Sequence, residues 1–204
     1  MTNNRFHKLD EEKKNKILGT ALEEFASNGF DGSSINRISK MAGLSAGNLY
    51  YYFENKEDLY LTVVDYVFNT FKKSDDRAEF SFWDEVEQLV RNRVAISREN
   101  KVVSRFLNRF FEYADNHNGS GVERITIEKV QNEFRIIFDK GIECGEIRND
   151  LDSEYLFNLH LGLVLTTNRW ILKNIDQWDD ETAEKFITES IGFIKSAMQP
   201  SGRV

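Results

Sequence analysis

The sequence predicts an all-α fold of about nine helices, with a small N-terminal part ahead of a larger helical body. Three observations predict it. Pro200 is the one proline in 204 residues, where average usage near 5% would give about ten. Proline removes a donor and clashes inside helices, so a chain that avoids it suits them. Apolar residues recur at three- and four-residue spacing along most of the chain, and strand-type alternation is scarce.

Each element has its own local signal. Asp10 is a suitable N-cap, with Glu11 and Glu12 at the positive end of the helix dipole. Ile17, Leu18, Ala21, Leu22, Phe25 and Ala26 then share one face, and Gly29 sits where a left-handed C-cap is needed. Ser33 or Ser34 caps a short second helix, with Ile35, Ile38 and Met41 expected inward. Ala42-Gly43-Leu44 forms a tight turn in which glycine can take positive φ. Ser45 caps a third short helix that turns Leu49 inward and Asn48, Tyr50 and Tyr51 mostly outward. Asn55 caps a fourth, with Asp58 at the capping-box position. Its stripe is Leu59, Val63, Val67, Phe68 and Phe71.

The charged, aperiodic segment 72–79 marks a joint, which divides the chain into domains at 10–70 and 75–204. Five longer helices make up the second. Ser81 opens one with Trp83, Val86, Leu89, Val90 and Val94 inside, and Val102, Val103, Phe106, Leu107, Phe110 and Phe111 mark the next. After a loop at 115–121, a long helix runs from about Val122 to Cys144 and ends at Gly145. The last two span about 153–174 and 181–198.

Composition narrows the class. Hydrophobic residues at 40% and charged residues at 30% are ordinary for a soluble globular chain. The longest uncharged run, residues 155–168, is too short to span a bilayer. The polar N-terminus does not read as a signal peptide. With Cys144 alone, neither an intramolecular disulfide nor a Cys-rich zinc site is expected. These features point to a cytoplasmic chain with no cofactor, no metal and no membrane partner.

The net charge of −7 argues against nucleic acid when taken alone. Its distribution argues otherwise. Residues 32–53 contain no Asp or Glu, although acids are one residue in six overall. That window is polar, and a polar surface without carboxylates suits an anionic partner. It also holds two short helices joined by a glycine turn, the spacing of a helix-turn-helix whose second helix enters the major groove. A plain αα-hairpin shares the spacing, and three adjacent tyrosines also suit ordinary packing.

The residues carry the argument further. The run from Ala42 through Leu59 (AGLSAGNLYYYFENKEDL) closely resembles the signature of the TetR family of bacterial repressors. Ile17, Ala21, Phe25, Gly29 and Ile38 extend the likeness over about residues 10–70. Tyr52 departs from it where histidine is commoner, and Ser39 where alanine is. The resemblance implies a helix-turn-helix DNA-binding domain followed by a ligand-binding and dimerisation domain. It also implies that Ser34, Ser45, Tyr50, Tyr52 and Lys56 hold phosphates, contacts that set register rather than sequence. Gly47 admits close approach, Asn48 suits adenine, and Ala46 and Tyr51 suit thymine methyls. Arg37 faces the backbone or a base edge. The arm carrying Arg5 and Lys8, expected to be unstructured, adds minor-groove or phosphate contacts.

In the body, Leu156, Phe157, Leu159, Leu161, Leu163, Val164 and Leu165 cover more than one helix face, so burial on two sides is expected. Ala183, Phe186, Ile187, Ile191, Ile194 and Met198 form a stripe on the last helix. Together these helices suggest half of an intersubunit four-helix bundle, with Leu156, Leu163, Phe186, Ile187, Ile191 and Ile194 at the dimer interface. A helix central to its own domain is the alternative. An apolar ligand cavity is expected among Trp83, Phe106, Phe110, Tyr113, Phe134, Phe138 and Phe157, with His160 and Asn168 as polar members. A satisfied core histidine is the alternative for His160.

No phosphate-cradling glycine loop, nucleophile elbow or metal-ligand spacing supports an enzyme. The expected protein is a homodimeric transcriptional regulator on a pseudo-palindromic double-stranded DNA operator, released by a small hydrophobic or aromatic ligand. The alternatives are a regulator governed by a protein partner, an activator, or a helical ligand carrier or enzyme.

Overall fold

The structure is a computed structural model and describes residues 4–69, 81–116 and 121–200, with side chains for 5–69, 81–112 and 121–200. Among them are ten α-helices: α1 (Asn4–His7), α2 (Glu11–Gly32), α3 (Ile35–Ala42), α4 (Ala46–Tyr52), α5 (Lys56–Asn69), α6 (Phe82–Glu99), α7 (Lys101–Asn116), α8 (Gly121–Glu143), α9 (Ser153–Asn174) and α10 (Asp180–Met198). A 3₁₀ turn, Ile175–Gln177, follows α9, and no strand occurs among the described residues. None of these helices is long and apolar enough to cross a membrane. Phe71, the joint at 72–79 and the side chain of Tyr113 lie outside the described residues.

The helix beyond the expected nine is α1. The N-terminal arm is not unstructured: Phe6 is buried and packs its ring 4.9 Å from that of Phe53.

The chain forms two compact units. One gathers α1 to α5 with α7 and the first turns of α8; the other gathers α6, the rest of α8, α9, the 3₁₀ turn and α10. In the first unit, Ile17, Ala21 and Phe25 of α2, Ile38 of α3, Leu49 of α4 and Leu59 and Val63 of α5 close a core. The caps fall where expected at three starts: Asp10 accepts from the Lys13 amide, Ser45 from Asn48 and Asn55 from Asp58. At α3 Ser34 occupies the N-cap position by its backbone alone. The Ser34 side chain makes no cap bond, and the Ser33 hydroxyl donates back to the Phe30 carbonyl. Met41 is exposed rather than inward, because the buried arc of α3 is Ile35, Ile38, Ser39 and Ala42. Gly29 does break the helix, at φ 69°, but helical turns resume as far as Gly32.

The second unit has two apolar clusters. Phe82, Trp83 and Val86 of α6 pack with Phe138, Ile147, Leu156, Phe157, Ile194 and Met198. Val90 and Val94 pack with Ile171, Ile175, Ala183, Ile187 and Ile191. Gly141 permits the first cluster to close, since a Cβ there would lie 2.8 Å from Ile147 and 3.0 Å from Phe82. The Arg148 amide donates to the Met198 carbonyl at 2.8 Å, fixing the end of α10. Arg91 bridges α6 to Glu184 of α10 at 2.7 Å, and Arg98 pairs with Asp180.

Several residues expected at the dimer interface lie within these clusters or against them. Leu156, Ile187, Ile191 and Ile194 are buried within their own chain, and Phe186 packs on Trp178. The stripe on α10 packs against α6 and α9. Leu163 is half-buried against the first cluster.

Candidate nucleic-acid interface

Gly43 makes the turn. Its φ of 75° and ψ of 28° are left-handed, a conformation that costs a residue with a Cβ but not glycine. The Leu44 amide then donates to the Ser39 carbonyl at 2.8 Å, closing α3. Ser45 immediately caps α4, so two short helices meet with no slack. Leu49, fully buried, pins α4 to the core by one side chain. The rest of that helix faces out: Gly47, Asn48, Tyr50 and Tyr51 are exposed, and Ala46 and Tyr52 are half-buried. On α3, Asn36, Arg37, Lys40 and Met41 are exposed. This surface carries no carboxylate.

Two of the residues expected to contact DNA also bond within the first unit. Lys56 donates to the Phe30 carbonyl at 2.7 Å, to Ser33 at 3.3 Å and to Asp31 at 3.5 Å. Its ammonium also lies 4.4 Å from the centre of the Phe30 ring. The ammonium faces the carbonyl end of α2, where a cation also suits the helix dipole. Lys56 thus clamps the carbonyl end of that helix.

Arg37 is a clamp as well. Its guanidinium pairs with Glu24 at 2.6 Å and donates to the Gly32 carbonyl at 2.6 Å. The bond to Glu24 raises the pKa of Arg37 further above its ordinary range. Glu24 is buried, and it also accepts from the Ser34 amide at 2.9 Å. One carboxylate therefore ties the start of α3 to the middle of α2. Sequence reasoning missed Glu24, although a signal was there. Glu24 lies seven residues after Ile17, on the buried arc of α2, and a buried carboxylate needs a cationic or N–H partner. Ser34 lies half-buried at the same junction, with its amide, not its hydroxyl, engaged.

At the far end of α4, the Arg5 guanidinium lies 4.4 Å from the Tyr51 ring centroid, and the Tyr51 and Tyr52 rings meet edge-on at 5.3 Å. The arm thus places a cation beside the tyrosines.

The residues expected to line a ligand cavity fall into two groups. Phe106 and Phe110, with Phe25, Phe30, Tyr60 and Arg109, line a cleft in the first unit of about 180 Å³ of empty space, its open mouth included. That is below the roughly 300–1,000 Å³ of typical ligand pockets. Trp83, Phe138 and Phe157 belong to the first apolar cluster of the second unit, with Phe134 packed on it. His160 is buried there between Phe82 and Phe138, at ring distances of 5.4 and 5.6 Å. Burial lowers its pKa to about 4, and its Nδ1 has no hydrogen-bond partner. These rings fill the space between helices. Asn168 is half-buried.

Two short helices, a left-handed glycine turn and an outward-facing second helix define a helix-turn-helix DNA-binding protein. Residues 17–63 match the family of bacterial regulatory proteins of the tetR type. The fatty acid metabolism regulator protein of Bacillus subtilis is 24% identical over 175 residues, covering 78% of this chain and 84% of that one. The transcriptional regulator RutR of Escherichia coli is 33% identical over 95 residues, 46% of this chain and 45% of that one. A TetR family transcription regulator from Shewanella shares the fold, with a TM-score of 0.65 at 23% identity over 91% of this chain and 97% of that one. Residues 17–63 thus carry the DNA-binding segment of that family, and the chain is a DNA-binding transcriptional regulator.

Proposed function

We propose that the chain is a homodimeric repressor that binds a pseudo-palindromic operator and leaves it when a small apolar ligand binds the helical body. The observation that carries the DNA half is the exposed, acid-free face of α4, presented by the Gly43 turn. Asn48 faces out on the first turn of α4, the end of a recognition helix that meets base edges. Gly47, Ala46, Ser45, Tyr50, Tyr51 and Tyr52 surround it. A protein with this role works in the cytoplasm.

The dimer surface we propose differs from the one read in sequence. Tyr155, Leu159, Leu163, Thr166 and Trp170 follow at intervals of four, four, three and four along α9, which places them on one face. Tyr155, Leu159 and Trp170 are exposed, as is Phe193 on α10. Large exposed apolar groups grouped on neighbouring helices favour a second subunit. The double substitution Trp170→Glu with Phe193→Glu is expected to give a folded monomer by light scattering.

For the ligand, an acyl chain is the favoured class, since the relative aligned over most of this chain regulates fatty acid metabolism. Transmission has a structural support. Arg105 of α7 pairs with Glu23 of α2 at 2.7 Å, and Arg109 donates to the Ser27 carbonyl at 3.3 Å. Phe106 packs on Tyr60 and Phe110 on Phe68 of α5, at 5.9 and 5.4 Å. A ligand that moves α7 therefore acts on α2 and α5 together. It shifts operator affinity only by binding the two conformations unequally.

The test is selection from a random duplex pool with purified protein. Enrichment of a two-fold-related site, with half-sites one or more helical turns apart, is expected. Sequence-indifferent, salt-labile binding would leave the carrier reading in its place. Among added ligands, acyl thioesters are expected to lower operator occupancy and aromatic amines not to.

A further inference from the structure

We propose that Glu24, buried in α2, is a positioning residue for base reading: it holds the start of α3 and thereby sets the direction of α4. The proposal rests on the reading of bases by α4 and names a residue behind that helix which governs it. Helix α3 has no means of its own to secure its start. Ser34 stands at the N-cap without a side-chain bond, and the first turn holds no acidic residue. In a capping box, a Glu or Gln at the third helical position reaches back to the N-cap amide. Here that position is Arg37. Glu24 makes the missing bond from another helix. Its Oε1 accepts from the Ser34 amide at 2.9 Å and from Arg37 Nε at 2.8 Å. Arg37 also donates to the Gly32 carbonyl at 2.6 Å. The first turn of α3 is therefore tied to α2 at both its ends, through one carboxylate that is 5% exposed.

Stability alone does not call for this arrangement. A buried ion pair is often replaced by apolar side chains of similar volume at no loss. An apolar side chain cannot, however, hold two directional donors. Packing gives little help with direction here, since α3 buries four side chains and α4 buries Leu49 alone. The two helices are locked to each other: the Leu44 amide donates to the Ser39 carbonyl at 2.8 Å across the left-handed Gly43. A tilt at the start of α3 is therefore carried into α4. Specific contacts need their groups held to about 0.5 Å. Phosphate contacts carry no sequence information and supply most of non-specific binding. Loss of Glu24 thus blunts discrimination and leaves the general grip on DNA.

The experiment compares the full chain with Glu24→Leu and Glu24→Gln. It measures melting, and affinity for the selected operator and for an unrelated duplex of the same length. The deciding quantity is the ratio of the two affinities. Glu24→Leu is expected to lower that ratio about tenfold, the worth of one misplaced base contact. The loss should fall on the operator, with affinity for the unrelated duplex and its salt dependence kept. Glu24→Gln still accepts from the Ser34 amide but no longer carries the charge that pairs with Arg37, so a smaller drop in the ratio is expected. A merely structural role would change melting and the folded fraction, weakening both duplexes alike. A Glu24→Leu protein that folds and keeps the parent's ratio therefore overturns the proposal. If Glu24→Leu does not fold, Glu24→Gln decides, and an unchanged ratio there overturns it as well. A parent protein that selects no operator overturns the base reading of α4 itself, a failure distinct from these.

Discussion

The two units solve the same problem with different materials. In the first, polar groups hold short helices in register. Glu24 receives the Ser34 amide and Arg37, Lys56 closes the carbonyl end of α2, and the Glu54 amide donates to Asp58 at 3.2 Å. In the second, apolar side chains from α6, α8, α9 and α10 interlock, and ion pairs such as Arg91–Glu184 lie at the surface. Helices as short as α3 and α4, at eight and seven residues, bury few side chains each. Directional bonds must therefore set their angles. Helices of eighteen residues and more have apolar area enough to be set by packing. In each unit, the groups that looked most available for a partner are already engaged within the chain. Lys56 and Arg37 are engaged in the first, and the isoleucine stripe of α10 in the second.

That contrast can be broken first where the effect is largest. Ile194→Ala is expected to cost about 2–5 kcal/mol of stability, the usual range for emptying a buried aliphatic site. Light scattering should show the oligomeric state unchanged. If Ile194 instead faced a second subunit, the substitution would release monomers.

Acid provides the next test. His160 has a folded pKa near 4, below its unfolded value near 6.5. The unfolded chain therefore takes up this proton first as the pH falls. The contribution is fully present above about pH 6.5 and is lost toward pH 4, on the order of 3 kcal/mol in all. His160→Phe keeps a ring between Phe82 and Phe138 and removes the proton site. In urea titrations across this window, the variant should lose less stability than the parent. Parallel curves for the two would mean that His160 is hydrated and its burial immaterial.

Lys56→Ala sharpens the comparison from the other side, with an effect of about 1 kcal/mol from lost hydrogen bonds at the end of α2. Melting should fall while the salt slope of DNA binding holds. A reduced slope with unchanged melting would return Lys56 to the phosphate contacts.

The legibility of the sequence followed the same division. Caps and glycine turns depend on neighbours in the chain, so Asp10, Ser45, Gly43, Asn55 and Gly145 could be read in advance. Outward Asn48, Tyr50 and Tyr51 followed once Leu49 was placed inside. What could not be read depends on groups far apart in sequence. Lys56 meets Phe30, and Arg37 meets Glu24, only after α2, α3 and α5 have packed. A stripe on α10 looks the same whether α6 or a second copy covers it. Glu24 and Phe6 were the residues out of character with their surroundings, and both proved to be anchors.

The proposed function stands on α4 reading bases. The most direct measurement is operator selection repeated with Asn48→Ala beside the parent protein. The account predicts that preference flattens at one base pair in each half-site, a discrimination of about 1–3 kcal/mol, with all other positions and the salt slope kept. An Asn48→Ala protein that selects the parent's operator with an unchanged profile would contradict it.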